Sequence, residues 1–265
     1  MIRTVFIIVL TLCGLFAVAQ NPSGYFHYAP YLSIDETTYL ETYLAIAGNS
    51  VTYKPIDEEK EQASVEVTMV FKNDDVVKAY RKFILKSDEV ERKLHNKPSF
   101  LNLERFSLEN GTYNFELTIK DNYVDSSKFT FNDIITIDIP NNELSMSGIT
   151  LAENIRPTDN RNQFSKSGFD IIPYVSNFYP QQVNKLQFYA ELYNVDKVVG
   201  QDSLFIIKTY IEGNPTRILY TEFATLERKK ASPINVIIKS YDITKLNSGN
   251  YNLVIEIRNK KNELL

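Results

Sequence analysis

One segment of this sequence occurs twice. Leu108-Glu109-Asn110-Gly111-Thr112-Tyr113-Asn114-Phe115-Glu116-Leu117-Thr118-Ile119 returns 138 residues later as Leu246-Asn247-Ser248-Gly249-Asn250-Tyr251-Asn252-Leu253-Val254-Ile255-Glu256-Ile257. Each copy has an apolar anchor (Leu108, Leu246), a turn glycine (Gly111, Gly249) and a tyrosine (Tyr113, Tyr251), followed by alternation. Phe115, Leu117 and Ile119 share one face, as do Leu253, Ile255 and Ile257, which is the two-residue period of a half-buried strand. A Tyr just after a turn, opening such a strand, is the pattern of the tyrosine corner in Greek-key sandwiches. The spacing is larger than one sandwich needs. The repeat therefore predicts an all-β chain of two tandem immunoglobulin- or fibronectin-like sandwiches, at 32–140 and 144–265.

The chain has 265 residues, enough for two cores. Its 17 Tyr and 16 Phe against 9 Gly suit pleated sheets. Residues 1–19 read as a secretory signal: Arg3, an apolar run from Val5 to Val18, and a small-x-small cleavage site at Ala17-Val18-Ala19. The run falls short of the roughly 20 residues a spanning helix needs, so no transmembrane helix is expected in the mature chain. Cys13, the only cysteine, lies inside that run behind Leu12, which does not suit lipidation. The mature chain then has no thiol for a disulfide, a metal or a nucleophile, and an exported protein without disulfides fits a bacterial envelope: periplasm, outer membrane or cell surface. Cleavage moves the net charge from -4 to -5, which gives no reason to expect nucleic acid as a partner.

Residues 20–31 hold Tyr25, Phe26, Tyr28 and Tyr31 and read as a Tyr-rich extended arm laid over the first sandwich. Tyr39 to Ala47 alternates, with Tyr39, Glu41 and Tyr43 on one face and Leu40, Thr42, Leu44 and Ile46 on the other. Ala63 to Lys72 places Val65, Val67, Met69 and Phe71 on a core face, and Asn73-Asp74-Asp75 turns it into a hairpin with Val76 to Leu85. Lys78, Arg81, Lys82 and Lys86 make that second strand a basic edge, which discourages aggregation. Ser87-Asp88-Glu89 suggests a helical turn running to Leu94. Lys128 to Ile139 closes the first sandwich and Pro140-Asn141-Asn142 links it to the second. There, Asn154 to Ser167 reads as a polar loop, and Lys185 to Tyr193 as a strand with Leu186, Phe188, Ala190 and Leu192 on one face.

The repeat also measures the second sandwich. The first corner strand is followed by a closing strand at Phe129–Ile139, whose counterpart at the same offset falls beyond Leu265. The second sandwich is thus expected to lack its last strand, leaving Tyr251, Leu253, Ile255 and Ile257 on an open edge. The preferred explanation is that the chain is the N-terminal part of a longer protein; the other is that a partner strand fills the edge by β-augmentation.

No catalytic constellation is recognisable. His27 and His95 stand in unrelated contexts without a second ligand at metal spacing. No nucleophile elbow, phosphate loop, His-Glu-x-x-His or dinucleotide fingerprint occurs, and adjacent acids such as Asp74 and Asp75 read as turn residues. No cofactor and no metal site are expected. Asn110-Gly111-Thr112 matches the N-glycosylation acceptor but lies in the corner turn, and Asp202-Ser203-Leu204 resembles a short bacterial O-glycosylation acceptor.

Tyr39-Leu40-Glu41-Thr42-Tyr43-Leu44-Ala45-Ile46-Ala47-Gly48-Asn49-Ser50-Val51 resembles the opening of the exported Bacteroidota proteins that carry a GWxTD domain, and Arg105-Phe106-Ser107-Leu108 to Tyr113 resembles the same family's first sandwich. The resemblance covers most of the mature chain and implies an envelope location and sandwich modules. With no Trp in the chain, the motif that names the family is absent. The expected function is that of a non-enzymatic envelope protein serving as a protein-interaction or scaffold module. The alternative is an accessory module that binds or helps process carbohydrate, suggested by the many tyrosines.

Overall fold

The computed structural model describes residues 21–265; the signal reading at 1–19, with Arg3 and Cys13, lies outside the described residues. The chain is nearly all β. Its N-terminal half runs through β1 (Gly24–Leu32), β2 (Thr38–Ile46), β3 (Tyr53–Pro55), β4 (Lys60–Asn73), β5 (Val76–Lys86), β6 (Val90–Glu91), β7 (Phe100–Ser107), β8 (Gly111–Asp121) and β9 (Lys128–Ile137). The C-terminal half has β10 (Ser145–Met146), β11 (Thr150–Pro157), β12 (Ser165–Lys166), β13 (Phe169–Pro173), β14 (Lys185–Tyr193), β15 (Leu204–Gly213), β16 (Leu219–Lys230), β17 (Ile234–Asp242) and β18 (Tyr251–Arg258). One helical turn, α1 (Val195–Val199), follows β14.

Alternation drives each strand into its sheet. Val65, Val67, Met69 and Phe71 of β4 are all fully buried. The β4–β5 hairpin turns at Asp74 and Asp75, whose φ of 45° and 63° are those of a two-residue turn that follows the twist of the strands. β4 also pairs with β8, and β8 with β9, making an outer sheet of order β5-β4-β8-β9. This sheet packs on a second one, β1-β2-β7, through Leu40, Leu44, Ile46, Phe100 and Phe106. In the C-terminal half the sheet β10-β14-β11-β13-β12, joined by β17 on β14, packs through Phe188, Ala190, Leu192 and Ile237 on the outer sheet β16-β15-β18.

The two inner sheets also pack on each other. Ala29, Tyr31, Tyr43 and Leu103 from β1, β2 and β7 meet Ala152, Ile171 and Tyr189 from β11, β13 and β14 in a third core. The molecule is therefore four sheets deep, and its two inner sheets are covered on both faces. Burial strings show the consequence: β2 and β14 are buried almost continuously, where a sheet with one wet face would alternate.

Two expectations give way here. The segment read as an arm is strand β1, paired with β2 over nine consecutive positions from Gly24↔Ile46 to Leu32↔Thr38. Phe26 stacks on Phe115 at 4.8 Å and Tyr31 is fully buried, while Tyr25 stays exposed. The helical turn at Ser87–Leu94 does not form. Ser87 spends its capping groups on β4, donating its backbone N–H to Ala63 O (3.1 Å) and accepting the Ala63 N–H on its hydroxyl (3.0 Å), so Val90 and Glu91 pair with β4 as β6.

Candidate functional site

The two corners have the same geometry. The Tyr113 hydroxyl donates to Glu109 O at 2.8 Å, and the Tyr251 hydroxyl donates to Asn247 O at 2.6 Å, each four residues upstream. In both copies the glycine lies beneath its tyrosine, since the atoms nearest a hypothetical Cβ at Gly111 or Gly249 belong to the Tyr113 or Tyr251 ring. Leu108 is buried in the first core, and Leu246 packs on the second. The Asn110 side chain is committed to the corner, giving a hydrogen bond to Ile139 O (2.9 Å) and taking one from Ile139 N (3.0 Å).

Beyond the corners the copies diverge. Phe115, Leu117 and Ile119 are at most 2% exposed, between β4 and β9. Leu253, Ile255 and Ile257 also face a core but remain partly exposed, because β18 pairs with β15 on one side only. On its other side the tail touches just one end: Arg258 bridges Leu264, Leu265 N–H donates to Ile257 O (2.8 Å), and Asn259 N–H donates to Glu263 O (2.9 Å). Among the described residues no strand lies beside Tyr251–Glu256 there.

Between the inner sheets lies a polar cluster that strand alternation alone does not reveal. Tyr39 and Tyr43 on β2 meet Tyr189 on β14 in the third core, with Glu41 and Glu191 buried on the same strand faces and Tyr193 in an adjoining cluster with Leu32 and Ile139. The signal was present: Tyr-x-Glu-x-Tyr occurs at 39–43 and again at 189–193. Strand alternation puts all three side chains of each triplet on one face, opposite the apolar face already assigned to the sandwich core.

Glu41 is 2% exposed and takes charge-assisted bonds from both halves. Arg105 Nε on β7 lies 2.7 Å from its Oε1, and Lys166 Nζ on β12 lies 2.6 Å from its Oε2. Lys166 arrives from the segment read as a polar loop, and its ammonium sits 3.1 Å from the centre of the Tyr31 ring. Burial opposes ionisation of Glu41, but Lys166 and Arg105 outweigh it and hold the carboxyl below the usual glutamate range. Burial also acts on Lys166, lowering it to about 8 even though Glu41 pulls the other way.

Hydroxyl protons order the rest. Tyr43 donates to Glu41, so Thr150 must donate to Tyr43 (3.0 Å), and Tyr31 in turn donates to Thr150 (2.6 Å). Thr150 belongs to the C-terminal half and its two tyrosines to the N-terminal half. Glu191 accepts from the hydroxyls of Tyr189, Tyr193 (2.7 Å) and Ser167 (3.2 Å), while Tyr193 accepts from Leu32 N–H (3.1 Å). Burial pushes all of these tyrosines up, with Glu41 and Glu191 adding to the shift. His27 joins the seam, donating from Nε2 to Ile149 O at 3.2 Å; burial lowers its pKa. His95 is exposed far along the sequence, and the structure does not bring the two together. Gly148 lets the backbones touch: its N–H donates to Pro30 O (2.8 Å), and a Cβ there would lie 2.8 Å from Ala29 Cα.

This cluster lines a cavity of about 10 Å³ bounded by Tyr31, Glu41, Tyr43, Arg105, Thr150 and Lys166, among others. That is room for about one water molecule. Among the described residues, no group of three or more His, Cys, Asp or Glu is placed to hold a metal, and no helix is long and apolar enough to cross a membrane. No protein-family model matches the chain, and no curated protein matches it.

Proposed function

We propose that this is an exported envelope protein acting without chemistry of its own, as a protein-interaction or scaffold module built from two tandem immunoglobulin-like sandwiches held in a fixed relation. The observation that carries this reading is the internal use of its ionisable groups. Glu41, Lys166 and Arg105 are spent on one another, and Glu191 on three hydroxyls, around a space the size of one water. Such a seam fixes the orientation of two sandwiches; buried polar networks specify one arrangement when every member is satisfied. The membership suggested by the resemblance to GWxTD-domain proteins belongs to the same proposal, and so does the envelope address.

Crosslinking in intact cells followed by capture of the full chain tests this reading. A discrete envelope protein recovered at near-stoichiometric yield is the expected result. Recovery of the chain alone, with a catalytic turnover on any envelope glycan or peptide, would reverse it.

A further inference from the structure

We infer that Tyr31, Tyr39, Tyr189 and Glu41 form an aromatic cage for a primary ammonium group, that Lys166 is its occupant in cis, and that a lysine side chain of a partner polypeptide takes the place of Lys166. The inference rests on the interaction-module reading above and names the chemistry the partner presents. Its first support is the shape of the site. The Lys166 ammonium lies 3.1 Å from the centre of the Tyr31 ring, 5.6 Å from that of Tyr39 and 5.7 Å from that of Tyr189. The Tyr31 and Tyr39 rings stack at 5.6 Å, and the Tyr189 ring is tilted by 47° to that of Tyr31. Several aromatic rings converging on one cation are the arrangement that recognises ammonium ligands. Glu41 completes the cage, with Oε2 2.6 Å from Nζ, a distance that calls for an N–H donor. A primary ammonium supplies that donor and a quaternary one does not.

The second support is charge. Without Lys166 the cluster would set two carboxylates, Glu41 and Glu191, against one guanidinium, Arg105. Glu41 is 2% exposed, and a buried excess of negative charge is costly until a cation meets it. The hollow therefore calls for a cation, whichever chain supplies it.

The third support is how Lys166 is delivered. β12 has two residues, Ser165 and Lys166, and pairs only with β13 at the end of its sheet. The chain then turns at once through Ser167 and Gly168, with φ of 50° and 81°. Asp170 holds this segment in place, accepting from the Asn162 and Ser165 side chains at 2.8 Å each. The backbone is thus fixed without the ammonium, and the long Lys166 side chain is free to swing out while β12 stays put. Exchange of one primary ammonium for another keeps the bond to Glu41, the ring contacts and the charge count, so it costs little.

The test is magnetic resonance of the full chain with its lysines isotope-labelled at Cε. The probe is n-butylammonium, the lysine side chain alone, with tetramethylammonium and sodium at equal ionic strength as controls. The Tyr31 ring shields the Lys166 ε-methylene and sets its signal apart from those of exposed lysines. Butylammonium should move that signal saturably to the exposed-lysine position, and the controls should leave it in place. Lys166→Ala removes the cis competitor, which lowers apparent affinity by the fraction of time the cage is filled, and should tighten butylammonium binding about tenfold. The tripeptide Gly-Lys-Gly should bind the variant too. A Lys166 signal that stays put at every butylammonium concentration would overturn the inference, and that arm does not depend on the variant folding. Binding of butylammonium without the tripeptide would overturn the partner lysine in favour of a free alkylamine. In either case a crosslinked envelope partner would leave the interaction-module reading standing.

Discussion

Strands β8 and β18 begin alike and end in different surroundings. Both follow a Leu-Gly-Tyr corner, both pair with a long central strand, and both turn three alternating apolar residues toward a core. β9 seals the first row to 2% exposure or less, while the second row stays partly exposed beside a bare edge. The difference teaches that local sequence sets the corner and the face of a strand, whereas its burial is decided by what lies next to it in the sheet.

The largest expected effect would break this comparison if it came out even. Phe115→Ala opens a cavity in a sealed core and should cost about 3–5 kcal/mol, whereas Leu253→Ala, already partly wet, should cost less than about half of that. Paired urea denaturation curves measure both. Equal losses would mean that β18 is as enclosed as β8.

A second pair sharpens it from within the seam. Glu41→Gln leaves Lys166 and Arg105 without their counter-charge and should cost about 3–5 kcal/mol. Glu191→Gln keeps neutral hydroxyl partners and should cost about 1–3 kcal/mol. Thermal unfolding of the two variants should rank them in that order.

The seam also predicts a pH profile. Glu41 is held below its unfolded value of about 4.3, so its contribution is complete above that pH and is lost as pH falls through the lower, folded value. Lys166 is lowered to about 8, so the unfolded chain holds that proton longer, and stability should rise between about pH 8 and 10. Above about pH 10 the sign reverses. Unfolded tyrosines ionise there while Tyr31, Tyr43, Tyr189 and Tyr193 keep their protons, so stability falls. Tyrosinate absorbance that rises together with unfolding, instead of ahead of it, is the expected signature.

The smallest effect separates the corners themselves. Tyr113→Phe removes a partly buried hydrogen bond and should cost about 1 kcal/mol, while Tyr251→Phe removes an exposed one and should cost less. Chemical denaturation of both variants, fitted with a common slope, resolves the difference.

Much of the fold could be read in the sequence because strands announce themselves by alternation. β14 has the bounds that alternation gives, and the β4–β5 hairpin turns where Asp74 and Asp75 stand. The seam was harder because it depends on one inner sheet meeting another. The face of β14 holding Phe188 and Ala190 was assigned to a core, so Tyr189, Glu191 and Tyr193 fell by default to solvent. Nothing local says that a second sheet covers them; only the recurrence of Tyr-x-Glu-x-Tyr hints at it. Lys166 was hidden in the same way. It stands in a polar stretch that reads as loop, and only its partner Glu41, distant in sequence, explains its burial.

Amide hydrogen exchange of the free protein, followed residue by residue, tests the central claim most directly. Phe115, Leu117 and Ile119 bond toward β9 and should exchange only on global unfolding, while Leu253 and Ile255, equivalent in sequence and facing the bare side of β18, should exchange orders of magnitude faster. Equal, strong protection of both rows would show that the second edge is already covered and would contradict the account.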